Sequence, residues 1–474
     1  MIMKRAFLIL LFAIAVCCAP KDETYVDSFP EIYPDYISVT VPCNIAPLNF
    51  DVKSEGRPSV SLSFGTHSLN ASVCGNTAIF SENKWHKLLK IAAGDSIKVS
   101  VSAGNVRYRD FYIYVSETEI DPYLSYRKIA PGFEIHSKMG LYCRDLTSYR
   151  ENVVFENTAI VGSCINCHSF NAGDPSQVTL HVRGTKGGTL IRDGKRSGFF
   201  NSNNGHTRGG CTYEAWHPSG KYIAYSTNIP LQMYHVKLDN RIEIYDKDSD
   251  ISIFDCATEE LFTSPTIADS ASFETYPAFS RDGRTLFFAR ARMRPMPEEY
   301  DRARYNLCCT SFEDGKIGDE IRTLVDAEAD SLSICTPRPS ADGKYVMFAV
   351  SSWGTFPIWH RDCQLGLYDM ENDSWRILDE VCSPETDSWH SWSSNGSGWF
   401  CFASRRDDGL HTRVYFSMIN PDGSATKPFM LPQRRPDRYY TRLFYSYNIP
   451  EFSSSEFKLD IGELTQEKKE IGQR

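Results

Sequence analysis

One short pattern recurs four times in the second half of the chain, and each copy leads directly into an apolar strand. The copies are Tyr213-Glu-Ala-Trp216-His-Pro-Ser219-Gly220, Tyr276-Pro-Ala-Phe279-Ser-Arg-Asp282-Gly283, Thr336-Pro-Arg-Pro339-Ser-Ala-Asp342-Gly343 and Trp389-His-Ser-Trp392-Ser-Ser-Asn395-Gly396. Asp, Asn or Ser before Gly marks a tight hairpin, in which the glycine takes the positive φ that other residues resist. The strands that follow, K-Y-I-A-Y-S, R-T-L-F-F-A, K-Y-V-M-F-A and W-F-C-F-A-S, are apolar on both faces. Such strands belong inside a stack of sheets. A single hairpin cannot cover both its faces, but repeats packed around an axis cover one another. Between the patterns lie two further strand-like runs per repeat, such as residues 241–246 and 251–255. Four strands per repeat is the make-up of a propeller blade.

The four copies resemble the WD40-like repeat of TolB-type β-propellers, in which an aromatic-Ser-Pro-Asp-Gly-Lys pattern precedes an apolar strand. The resemblance covers residues 178–455 and implies an all-β propeller of six blades, with five possible. Segments 178–200 and 440–452 are strand-like without the pattern, and would supply outer blades or close the ring. Residues 456–474 read as a C-terminal tail, of which 462–474 are polar and expected to fray.

The N-terminal half is organised differently. Lys4 and Arg5 precede an apolar run, Ala6 to Val16, too short to span a bilayer and of the length of a signal-peptide core. The run ends at Cys17-Cys18 and resembles a bacterial lipoprotein signal over residues 1–18, with Cys18, or Cys17, as the lipidated residue. Lys21-Asp22-Glu23 resembles the surface-export signal of Bacteroidetes lipoproteins, within a tether over 19–34. The expected location is the cell envelope, lipid-anchored to the outer membrane on its periplasmic face or at the cell surface. Period-two runs at Tyr36–Val41, Ser59–Phe64, Ser96–Ser102 and Phe111–Val115 predict a small β-sandwich over 35–117. Residues 118–177 read as an irregular linker.

That linker carries the sharpest chemical signal, Cys164-Ile-Asn-Cys167-His168. In an exported protein the string C-x-x-C-H is the attachment motif of c-type haem: two thiols bond the vinyl groups and the adjacent imidazole ligates iron. With 15 Cys and 11 His in 474 residues, chance would produce about 0.01 such strings. His181 is the first candidate for a sixth ligand, with Met139 and His206 behind it. A disulfide or a zinc clip, the latter completed by His181 or Cys211, stays open beside haem c. The motif followed by H-V-R-G and a propeller also resembles a group of Bacteroidetes envelope proteins of TolB type that carry a cytochrome-like motif.

Other motifs fail on their own chemistry. Gly188–Lys195 has the wrong glycine spacing for a phosphate loop, and Arg196 stands where a hydroxyl is needed. Asp246, Asp248 and Asp250 begin like a calcium loop, but Ile251 and Ala257 occupy the positions that need Gly and Glu. The tryptophans from Trp353 to Trp399 fit blade packing or an aromatic mouth. A net charge of −9 argues against nucleic acid as partner. The expected protein is a lipid-anchored scaffold whose propeller binds an envelope protein or a glycan. Cys164, Cys167, His168 and His181 would hold haem c for electron transfer or redox sensing, or else form a haem-free clip.

Overall fold

The computed structural model describes residues 23–131, 138–160, 162–184, 186–203, 205, 207–236 and 241–473. Cys17, Cys18 and His206 lie outside these described residues. The six sheets that follow residue 118 are six propeller blades. Blade 1 runs outward from strand Ser446–Ser453 through Tyr123–Ile129 and Gly140–Asp145 to Glu151–Glu156. Blade 2 begins at Ser163–Asn171, blade 3 at Cys211–Trp216, blade 4 at Ser272–Phe279, blade 5 at Ser333–Pro339 and blade 6 at Asp387–Trp392. Each of these innermost strands touches the next, and that of blade 6 touches Ser446–Ser453, so the ring is closed.

Three expectations need correcting. Residues 118–177 are not a linker, because they build most of blade 1 and the innermost hairpin of blade 2. The runs at 241–246 and 251–255 are not two strands but one, Ile242–Asp255, paired with Tyr222–Tyr234 in a hairpin that outgrows its blade. The C-terminal residues do not fray. A helix at Ile461–Thr465 starts on a capping box between Asp460 and Glu463. Lys469–Glu470 and Gly472–Gln473 then add edge strands to blades 2 and 3, with Phe457, Leu464 and Ile471 buried.

The N-terminal region holds a seven-stranded and a four-stranded sheet, together with a helix at Glu82–Ile91 that sequence reading missed. That helix buries Trp85, Leu88 and Leu89 on one face, the i, i+3, i+4 stripe of an amphipathic helix. Its core continues into blade 6 and the closing strand through Trp399, Phe416, Phe429 and Phe452. Polar ties reinforce the join. Tyr36 donates to the Met430 carbonyl, and Asp121 accepts from the Ser394 amide and from the hydroxyls of Ser393 and Ser394.

The glycine turns behave as the sequence implied, with φ near +70° at Gly220, Gly283, Gly343 and Gly396. Their surroundings differ. A Cβ on Gly283 would lie 2.3 Å from His217 Nε2, whereas at Gly343 nothing lies within 4 Å. Gly343→Ala is therefore expected to cost about 1 kcal/mol from the positive φ alone. Gly283→Ala should cost roughly 1–2 kcal/mol more, because the His217 ring must move. Denaturant unfolding of the two variants measures the difference, and equal losses would refute the steric account.

Candidate functional site

In each innermost strand the pairing with the second strand slips by one residue, a β-bulge. Five of the bulges place a non-glycine residue in the left-handed region: Tyr213, Tyr276, Thr336, Trp389 and Ile449, with φ between 44° and 52°. Such a conformation costs about 1 kcal/mol or more per residue, and in three of the five it projects rings that pack together. Tyr213 and Tyr276 lie 4.4 Å apart between ring centroids, and Trp389 lies 6.3 Å from each. These rings come from blades 3, 4 and 6, so they meet across the axis and plug the waist of the channel. A pocket lies at each end.

The pocket on the hairpin side is lined by Trp216, Arg338, His390, Trp392 and Glu451, among others. Buried ionisable groups gather beside it. His168 Nε2 lies 3.7 Å from Glu451 Oε2, and Glu451 Oε1 accepts from the Phe170 amide. Burial, with the positive charges of Arg127 and Arg338, pushes the His168 imidazole down to about 3. Burial raises Glu451 to about 7 and Glu214 to about 8. Neither carboxyl oxygen of Glu214 has a hydrogen-bond partner among the described residues. Near neutral pH this end of the channel therefore holds a neutral histidine beside carboxyls that keep or readily take a proton.

The opposite mouth is lined by Arg127, Arg183, Tyr213, Leu231, Gln232, Ile242, Ile244, Phe356, Ile358, Trp359, Arg405 and Asn448, with Ile129, Ala130, Pro131, Pro230 and Ser446. Its cavity volume is about 150 Å³. The long hairpin of blade 3 forms one wall. It is pinned by Glu243, whose carboxylate meets His360 Nε2 at 2.9 Å and Trp353 Nε1 at 3.0 Å on the facing blade 5. Arg405 stacks on Trp359, 3.5 Å above the ring centroid, a cation–π contact.

The structure separates the residues expected to hold haem. Position 166 takes the bulge place of the blade signature, and Gly173 follows it by the same seven residues that separate Tyr213 from Gly220. The motif is thus a disguised fifth copy, spread along an innermost strand. Cys164 packs with Ile129 and Met139, while Cys167 belongs to the channel cluster with Tyr276 and Trp389. His168 pairs in register with Leu180, so His181 lies on the opposite face of the sheet. There it bonds Thr189 and abuts Gly210, and burial lowers its imidazole to about 3. Two thiols in separate clusters, and two imidazoles on opposite faces, do not fit a haem. The zinc alternative fares no better. Cys211 packs elsewhere with Ile191 and Trp216, and no group of three metal ligands occurs among the described residues. Cys164 and Cys167 are not joined in a disulfide.

Sequence reading missed the arginines and the buried acids. Seven-residue spacing back from Gly173 was the available signal for blade 2. Nothing local marks Arg127, Arg183 and Arg405, which lie far apart in the sequence. Asp248 and Asp250, considered for calcium, instead pair with Arg208 at 3.0 and 2.7 Å.

No family model and no curated protein matches the chain. Among solved structures it is similar to TolB from Acinetobacter baumannii, with a TM-score of 0.43, 13% identity and coverage of 75% of this chain and 78% of that one. It is also similar to an oligogalacturonate lyase from Vibrio parahaemolyticus, at TM-score 0.37 and 12% identity over 61% of this chain and 70% of that one. A puromycin-hydrolyzing peptidase from Mycobacterium tuberculosis gives TM-score 0.38 and 11% identity over 84% and 57% of the respective chains.

Two outcomes check this site. Burial raises the Cys167 thiol to about 12, leaving about one thiolate in 10,000 at pH 8. Cys164 and Cys167 should stay unalkylated in native protein at pH 8 while exposed Cys74 reacts. Protein matured with the c-type apparatus should show no covalent haem in a pyridine haemochrome spectrum, and a haem band would overturn this placement. The second concerns Glu214, whose folded pKa of about 8 exceeds the unfolded value near 4.5. Its contribution to stability is complete below pH 4.5 and falls away as pH rises toward 8. Glu214→Gln should therefore gain on the parent by more than about 1 kcal/mol between pH 5 and pH 8, read from paired melting curves.

Proposed function

We propose that this protein is an envelope lipoprotein whose propeller is a binding scaffold, holding a second envelope protein over the arginine-lined mouth. Support for the envelope address comes from the signal-like residues 1–18, with Cys18 as the residue to be lipidated. The observation that carries the binding reading is the hairpin of blade 3. It continues beyond its blade beside the mouth and leaves Tyr234 71% and Val236 102% exposed. Apolar side chains presented on a braced hairpin next to a blind pocket are suited to a protein partner. The mouth sets an aliphatic wall beside its guanidiniums, which favours a polypeptide over a glycan.

The test is co-purification from envelope membranes. Tyr234→Ser with Val236→Ser should release a partner that the parent protein retains, with the melting temperature unchanged because both side chains are solvent-exposed. Retention of the same partner by the double variant would refute the docking face. Cys18→Ser should move the protein from the membrane to the soluble fraction.

A further inference from the structure

Three guanidiniums lie in the mouth, and they come from neighbouring blades. Arg127 is on the second strand of blade 1, Arg183 on the second strand of blade 2, and Arg405 directly follows the second strand of blade 6. Blades 6, 1 and 2 are consecutive around the ring, so the cations form one side. The facing side is apolar, made by Leu231, Ile242 and Ile244 of the blade 3 hairpin with Phe356 and Ile358 of blade 5. No Asp or Glu is among the described residues that line the mouth, in a protein with a net charge of −9.

Burying a cation without a counter-charge is costly. Arg405 is 5% exposed, its Nε has no hydrogen-bond partner among the described residues, and burial lowers its guanidinium to about 9. The acids whose charge reaches Arg405, Asp408 and Glu385, are paired elsewhere, Glu385 with Arg361 at 2.8 Å and Asp408 with His411 at 2.8 Å. The Arg183 side chain, half-buried, likewise makes no ion pair among the described residues. Arg127 is held differently, by a bond from Nη1 to the Ile165 carbonyl at 3.2 Å. The neighbouring polar groups are unsaturated too, since Gln232 Nε2 and Asn448 Oδ1 are buried without partners among the described residues. Guanidinium forks match carboxylate oxygens in shape and charge.

We infer that this mouth is a carboxylate site that takes the C-terminal end of a polypeptide with an apolar last residue. The carboxylate would face Arg183 and Arg405, and the last side chain would lie against Leu231, Ile242, Ile244 and Ile358. The peptide would then leave along the exposed hairpin at Tyr234 and Val236, a second contact that a small free acid would not use. This rests on the scaffold reading above and supplies the chemistry of its partner.

The experiment uses the full-length protein and titrates N-acetyl-Ala-Leu-Phe with a free C-terminus, followed by tryptophan fluorescence, since Trp359 lies under Arg405. The free acid should bind, and its C-terminal amide should bind at least 10-fold more weakly. Arg405→Gln and Arg183→Gln should each weaken the acid by 10-fold or more. Arg405→Gln should fold at least as well as the parent because it removes a buried cation. Arg183→Gln is the control in a half-buried position. Equal affinity for acid and amide, no binding of either, or unaltered affinity in both variants would overturn the inference. Phenylpropanoate binding as tightly as the peptide would overturn the polypeptide assignment, and phenyl phosphate binding more tightly would overturn the carboxylate one. If both arginine variants keep the envelope partner that the Tyr234/Val236 double variant loses, the carboxylate site fails and the scaffold stands.

Discussion

The pairing of strand Ser446–Ser453 with Tyr123–Ile129 is what makes six separate sheets one object. Residues more than 300 positions apart, such as Leu124 and Phe452, lie in register there. Closing a loop of that length costs conformational entropy, but the cost grows only logarithmically with length. The gain on the other side is large. The joint buries Tyr126 against Tyr447, with centroids 4.8 Å apart, and places Phe452 in the core shared with the N-terminal sheets. Without this strand, blade 1 would lack its innermost member and blades 6 and 2 would face an open edge, the arrangement that invites pairing with other chains.

Closure also explains what could and could not be seen in the amino-acid pattern. Four blades were legible because each innermost strand turns back on itself through a glycine hairpin. The closing strand carries Ile449-Pro450-Glu451-Phe452, the same bulge and spacing, but no glycine follows. Its neighbour in the sheet is Tyr123–Ile129, which arrives from the other end of the sequence, so no hairpin is required there. Blade 2 was hidden for another reason. Its signature positions hold Cys167 and His168 where other copies hold Glu214 and Ala215 or His390 and Ser391, and the string imitates a haem motif. Residues along a buried strand are not drawn independently of their setting. A buried innermost strand favours small apolar residues such as Cys, which raises the frequency of such strings.

The site was less legible than the fold because its residues share a place only after the ring closes. Arg127 sits on a strand read as linker, Arg183 two residues beyond His181, and Arg405 just past the apolar strand of the fourth repeat. Each alone reads as a solvated charge. The His181 expectation failed on the two-residue period of a strand: thirteen residues of separation across a hairpin set the two imidazoles on opposite faces.

The aromatic plug assigns different tasks to the two ends of the channel. Tyr213, Tyr276 and Trp389 stand between an end that holds neutral histidines, readily protonated carboxyls and Arg338 and an end lined by Arg127, Arg183 and Arg405. Three of the five left-handed residues, Tyr213, Tyr276 and Trp389, aim their rings at this waist, and beyond it the three arginines set a positive field at the mouth. That field lies on the seam of the ring, because Arg127 stands on the strand that receives the closing one. The mouth is therefore complete only in the closed propeller, so the interaction that fixes the architecture also switches on the site.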